Sequence, residues 1–389
     1  MTSPPPVSSL GIYVHWPFCK AKCPYCDFNS HVRHEPVDWR AFVSALIREL
    51  ASFRSLTSAR QVASLFFGGG TPSLMPPAAV ADVIDAVSSL WEMEETAELT
   101  LEANPTSAEA ENFRGYRSAG INRLSVGMQA LNDADLKILG RQHSAAEALA
   151  AFELAAGIFP RVSFDLIYAR PGQTVADWRE ELTRALRVQQ GHMSLYQLTI
   201  EPGTRFHDLH RKGSLIVPDE ESAAALFDVT QELTALVGLH AYEVSNHAWP
   251  GHESRHNLIY WRYGDYLGVG PGAHSRLTTA RGRLAVSTER HPETWRQLVD
   301  ARGHGRIEET CLSPADQGLE MLLMGLRLKE GINPKAYARL AGRELDRARL
   351  STLLDEELLK EDIVSGHLAA TLRGRRVLNA VIAALALAG

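Results

Sequence analysis

The chain has little cysteine: four residues in 389, three of them (Cys19, Cys23 and Cys26) close together and the fourth, Cys311, far away. That is poor arithmetic for disulfides and excludes a cross-linked secreted scaffold. The opening MTSPPPVSSL lacks a basic n-region and an apolar h-region, so residues 1–10 read as a flexible lead-in. No apolar run is long enough for a bilayer. The longest, VLNAVIAALALAG from Val377, reads as a packed terminal helix. Nor is there a basic excess: the formal charge is −6, which argues against a general nucleic-acid binder. Low-complexity sequence is confined to the proline-rich start. The rest is ordinary globular composition, 45% hydrophobic and 22% charged, long enough for two domains or for one large domain with an appendage. A soluble cytoplasmic protein is expected.

What is there first is a repeat. Strands are expected at Tyr13–Phe18, Val62–Phe67, Glu98–Ala103, Leu124–Gln129, Val162–Tyr168 and Met193–Glu201, each followed by a helical or loop segment. This is a βα repeat and therefore a parallel sheet. Several strands alternate. Leu99 and Leu101 oppose Glu98, Thr100 and Glu102; Leu124, Val126 and Met128 oppose Ser125, Gly127 and Gln129. A closed eight-stranded barrel fills its lumen with branched apolar side chains. A polar inner face and six strands instead imply an open partial barrel whose interior holds a ligand. Arg170, after the fifth strand, is expected to add a charge near the barrel mouth. From about Gly238 the repeat stops and a Gly- and aromatic-rich region follows. After Cys311 come a helix with Leu319, Leu322, Leu323, Leu326 and Leu328 as its apolar set, further helix over Leu340–Leu359, a strand-like piece around His367 to Leu372, and the final helix.

The organising stretch is Gly11 to His31, GIYVHWPFCKAKCPYCDFNSH. Its C-x3-C-x2-C spacing is a metal loop. One reading is zinc, with His15 or His31 as fourth ligand. The other is an iron–sulfur cluster: three thiolates leave one iron of a [4Fe–4S] cube without a protein ligand, free to bind a cofactor or substrate. With Tyr25 before the third cysteine, the loop resembles that of the radical S-adenosylmethionine (SAM) superfamily, and YVHWPFC and CPYCDFNSH narrow the likeness to the HemN/HemW group. The resemblance implies a partial (β/α)6 barrel, a cluster on Cys19, Cys23 and Cys26, and SAM chelated at the open iron. It divides the chain into 1–10, a barrel over 11–237, a linking region over 238–310 and a small winged-helix-like domain over 311–389. Gly69, Gly70 and Thr71 match the family's GGTP motif, whose amides would meet the SAM amino group or carboxylate. The positions of Tyr13, Tyr25, Glu102, Gln129, Arg141 and Asp165 match the remaining SAM region. One departure is local: FDLIYARPGQT has Ala169 where the family usually has Gly, which matters only if that backbone needs a positive φ.

Within the group the oxidase branch has a further cysteine two residues after the third. Here that residue is Phe28, and only 18 residues precede Cys19. His256-Asn257-Leu258-Ile259-Tyr260-Trp261 resembles the HNxxYW motif through which the other branch is thought to bind heme. The resemblance implies His256 as axial ligand, with Asn257, Tyr260 and Trp261 around the porphyrin, Arg255 and Arg262 at its propionates, and His247 and His274 next in line as ligands. The function implied is a heme chaperone serving an acceptor protein, without coproporphyrinogen oxidase activity. It allows a homodimer and transient contact with a membrane protein. The alternatives are oxygen-independent coproporphyrinogen III oxidase and a cluster-bearing regulatory or interaction protein.

Overall fold

The computed structural model describes residues 9–57 and 60–386; the expected lead-in lies almost wholly outside them. Twelve strands form one mixed sheet: β1 Ser9–Trp16, β2 Gln61–Gly69, β3 Glu92–Ala103, β4 Arg123–Gln129, β5 Arg161–Tyr168, β6 His192–Gln197, β7 His240–Ala241, β8 Asn246–Ala248, β9 Asp265–Val269, β10 His274–Thr279, β11 Gly282–Thr288 and β12 Arg306–Cys311. Their order is β12-β11-β10-β9-β1-β2-β3-β4-β5-β6-β8-β7, and the ends do not meet, so among the described residues no closed barrel forms. All six expected strands are present and pair in parallel in chain order. β6 stops at Gln197, short of the expected Glu201. The linking region adds β9 parallel to β1, then the antiparallel β10–β12 on that side and β7–β8 on the other.

The alternation read from sequence sorts the two faces. Ile12, Val14, Leu65, Phe67, Leu99, Leu101, Leu124, Val126 and Phe164 are buried in one core. Helices packed against that core include Trp39–Ser52, whose N-cap Asp38 accepts from the Ala41 amide, and Pro77–Leu90. The Ala145–Ala156 and Val175–Val188 helices begin with capping boxes, Ser144 with Glu147 and Thr174 with Asp177. On the other face, register lines up Gly11, Ser64 and Glu98 in one row, then Tyr13, Phe66 and Thr100 in the next.

This inner face is not polar throughout. At the N-terminal ends of the strands it is plugged by the Arg255–Trp261 helix, which packs on β2, β1 and β9. Glu98 there is buried, ion-paired with Arg123 at 3.1 Å, and accepts from the His256 amide. The helix was expected outside the repeat; it lies inside the sheet's curve. At the strands' C-terminal ends the same face lines an open cavity.

The C-terminal region has its own core, built from Leu322, Leu326, Tyr337, Leu353, Leu368 and Ile382 among others. Its helices are Pro314–Gly325, Pro334–Ala341, Arg347–Asp355, Leu372–Arg376 and Leu378–Ala386, with a hairpin of Leu359–Glu361 and Leu368–Ala370. The further helix expected over Leu340–Leu359 is present as Arg347–Asp355, set off from the preceding helix at Gly342, which has a φ of 67° and makes a left-handed turn, and Leu359 begins a strand. Leu319 and Leu323, counted in the apolar set, are each 42% exposed. The helix buries the Leu322 side, and these two lie off it.

Candidate active site and neighbouring cavity

β1 delivers the chain through Pro17 to the cysteine loop, and β2 ends against it at Gly69-Gly70-Thr71. Cys19, Cys23 and Cys26 line one cavity of about 340 Å³ with Tyr25, Gly69, Gly70, Thr71, Glu102, Gln129, Arg141 and Asp165. Eleven residues expected from separate stretches of sequence thus converge. The glycine run does more than admit a ligand: a Cβ on Gly70 would stand 2.8 Å from the backbone of Pro17 and Phe18, so the cysteine loop itself is seated on it. The Thr71 hydroxyl donates to the Cys19 sulfur at 3.4 Å, and Arg141 donates to the Cys23 sulfur at 3.5 Å.

Burial pushes the Cys19 and Cys26 thiols up, so nearby positive charge, such as iron, is needed to hold them as thiolates. Among the described residues no three or more His, Cys, Asp or Glu converge on a single metal ion. A cube asks for a different arrangement, because each cysteine bonds its own iron. The zinc alternative lacks its fourth ligand. Neither His15 nor His31 lines this cavity, and His15 has its Nδ1 on the Tyr13 hydroxyl and its Nε2 on the Asn29 carbonyl.

Two carboxylates face the cavity without a full complement of cations. Burial, then the neighbouring Asp165, pushes Glu102 up to about 8, against a stabilising bond from the Gly69 amide. Burial pushes Asp165 up to about 6, against bonds from Ser194 and Ser125. Arg141 reaches Asn104 at 2.6 Å and the Gly127 carbonyl at 3.0 Å, but its Nε has no partner. Two buried carboxyl groups beside a guanidinium with a donor to spare suit a sulfonium amino acid with an ammonium and a carboxylate.

Tyr13 does not line this cavity. Its hydroxyl bonds to His15, and its ring stacks 6.2 Å from Phe66 and 6.4 Å from His256. It lines a second cavity of about 570 Å³ that shares Phe28, Gly69 and Glu102 with the first. Of the HNxxYW residues only Tyr260 reaches it. His256 is 2% exposed: its Nδ1 meets the Ser64 hydroxyl at 2.8 Å and its Nε2 the Tyr260 hydroxyl at 3.1 Å. Burial holds it neutral, with its pKa lowered to about 3. The Asn257 amide donates to the N-cap Ser254, and Trp261 has Arg327 over its ring at 5.0 Å. The two arginines expected at propionates are engaged: Arg255 with Glu94 and Thr96, and Arg262 with Glu330 through two bonds.

The Radical SAM superfamily model matches residues 13–185, and the HemN C-terminal domain model matches residues 312–377. The mitochondrial Radical S-adenosyl methionine domain-containing protein 1 of Bos taurus is 42% identical over 85% of this chain and 76% of its own length. The protein named Heme chaperone HemW is 37% identical in Haemophilus influenzae, over 87% of this chain and 88% of its own, and 35% identical in Escherichia coli, over 96% and 97%.

The chain belongs to the radical SAM superfamily and is HemW-like.

Among solved structures, the coproporphyrinogen III oxidase HemN of Escherichia coli superimposes with a TM-score of 0.81 over 98% of this chain and 90% of that one. At 21% identity the likeness is one of fold. Membership in the superfamily implies a [4Fe–4S] cluster and SAM.

Two residues of the HemW-like site, Asn104 and Tyr196, carry no motif that marks them in the sequence. Asn104 bridges Arg141 and Thr71, and Tyr196, 43% exposed, lines the cavity at the end of β6. Asn104 stands two residues after Glu102, which was the available signal. Tyr196 escaped strict alternation because β6 ends with both Tyr196 and Gln197 exposed.

Proposed function

We propose that the protein binds heme and passes it to an acceptor protein. In this reading Cys19, Cys23 and Cys26 hold a [4Fe–4S] cluster, and the Gly69–Thr71 segment, Glu102, Gln129, Arg141 and Asp165 hold SAM beside it. When bound, the cluster and SAM supply a one-electron centre and a cleavable sulfonium. The chain's own part is to seat the loop on Gly70, to set Glu102 and Asp165 against positive charge, and to keep Arg141 aimed at the thiolate side.

The observation that carries the heme reading is the second cavity, of about 570 Å³, which the HNxxYW tyrosine enters and which adjoins the first through Phe28. Small-molecule sites run from roughly 300 to 1,000 Å³. Phe28 stands where the oxidase branch carries its extra cysteine and is 60% exposed. The reading includes a cytoplasmic location, with an acceptor, membrane-bound or not, as the partner, and a homodimer as one assembly. Among the described residues no helix is long and apolar enough to cross a membrane.

The test is an anaerobic titration of reconstituted protein with hemin, followed in the Soret region, together with product analysis after incubation with coproporphyrinogen III, reductant and excess SAM. Saturable hemin binding without porphyrinogen turnover is expected. Protoporphyrinogen accumulating over many turnovers would assign the chain to the oxidase instead.

A further inference from the structure

The heme reading needs an imidazole that can reach iron, and His256 has both ring nitrogens engaged inside the sheet. His247 is 0% exposed, with one nitrogen near the Gln231 amide and the other enclosed without a partner. His274 differs from both. It opens β10, is exposed, and makes no side-chain hydrogen bond among the described residues. It lines the 570 Å³ cavity.

We propose that His274, not His256, is the axial ligand of heme iron, in the cavity walled by Phe28, Tyr260, Tyr266 and Ile307, with Arg290 meeting a propionate. The proposal rests on the heme reading given above. Phe28 and Ile307 are large apolar side chains, 60% and 56% exposed, on the same cavity. Such surface is costly to leave in water, and a porphyrin face would cover it. The rings of Tyr260 and Tyr266 lie 4.2 Å apart, centre to centre, and give a second aromatic wall. Arg290 is exposed and has no ion pair among the described residues, whereas Arg276, nearer the C-terminal domain, is engaged with Glu320. An Arg beside an apolar slot is the group suited to a carboxylate. Burial, then Arg276 and Arg290, lowers the His274 pKa below its ordinary value, while Glu308 opposes them weakly; the ring therefore presents a lone pair at neutral pH. In this arrangement the HNxxYW motif builds the wall: His256 anchors the Tyr260 hydroxyl, and Tyr260 faces the porphyrin.

The experiment is hemin titration of the full-length, cluster-reconstituted protein and of three variants, with the Soret band and affinity as readouts and cluster absorption as the folding control. His274→Ala is expected to shift the band and to weaken binding by on the order of tenfold or more, since losing only an outer-shell partner of a metal ligand costs about that much. Added imidazole should restore the band. Arg290→Ala should weaken binding without moving the band. His256→Phe, which keeps a ring in the stack with Phe66, should keep the wild-type band position. A His274→Ala protein with unaltered band and affinity overturns the assignment while leaving the heme reading in place, as does a lost band that imidazole does not restore. A His256→Phe protein that alone loses the band returns the ligand to His256. Absence of any Soret band with the unaltered protein overturns the heme reading and this assignment together.

Discussion

Ala169 sits at φ 57°, in the left-handed region where a Cβ is disfavoured. The condition under which the Gly-to-Ala departure matters is therefore met. Ala169→Gly is expected to raise stability by up to about 1 kcal/mol, the left-handed strain relieved less the extra chain entropy of glycine. Urea denaturation measures it, and a loss of stability would show that the neighbouring contacts hold Ala169 without strain. Arg170, expected to place a charge near the barrel mouth, is 2% exposed and ion-paired with Asp135 and Glu181. Sequence marks the charge but not its partners, which lie 35 residues before it and 11 after. Glu102 carries a pH prediction. Its folded pKa of about 8 exceeds the ordinary value of 4.5, so between those values the fold holds a proton that the unfolded chain releases. Stability contributed by the protonated form is full below pH 4.5 and falls as pH rises to 8. A cationic ligand favours the ionised form, so SAM affinity should rise with pH between about 6 and 9. Glu102→Gln should bind SAM more weakly and lose that rise. Calorimetric titration at several pH values decides; an unchanged slope would remove Glu102 from the ligand contact.

At the scale of elements, strand positions were legible because a half-polar sheet writes its period of two directly into the chain. The Arg255–Trp261 helix shows the limit. Its motif was visible, but its place was not, since seven residues carry no record of the long-range partners that seat them. Those partners are Ser64, Glu98 and Arg123, far earlier in the chain: Ser64 bonds His256, and Glu98, paired with Arg123, accepts from the His256 amide and the Ser254 hydroxyl. Ser254 caps the helix by accepting from the Asn257 amide. Ser254→Ala should cost about 1 kcal/mol by loss of that cap. It should also weaken hemin binding, because Tyr260 lies on the same short helix. A stability loss with unchanged hemin affinity would separate the helix from the second cavity.

At the scale of the molecule, the cysteine loop and β10 reach their cavities from opposite sides of a wall made by Phe28, Gly69 and Glu102. Gly69 and Glu102 belong to strands of the main core, whereas Phe28 stands two residues after Cys26 in the cysteine loop, so most but not all of the wall stands without the loop's metal. Cys19→Ala is accordingly expected to abolish cluster absorption and bound iron while keeping a saturable hemin Soret band, weakened only as far as Phe28 moves with the loop. Cys311→Ala should change neither: that thiol is exposed at the end of β12, away from the other three. Iron analysis and hemin titration of both variants check this, and loss of heme by a folded Cys19→Ala protein would join the two sites.

A sheet that stops short of closure has two open margins, and margins invite strangers. Unpaired amides and carbonyls on an edge strand can template another chain, leading to strand exchange or fibrils. The two margins are guarded differently. β7 is only two residues long, too brief to recruit a neighbour. β12 runs six residues but carries Arg306, Glu308 and Glu309, charges that an intruding strand would have to desolvate. The gap that leaves room for guests is thereby kept from becoming a seed for polymerisation.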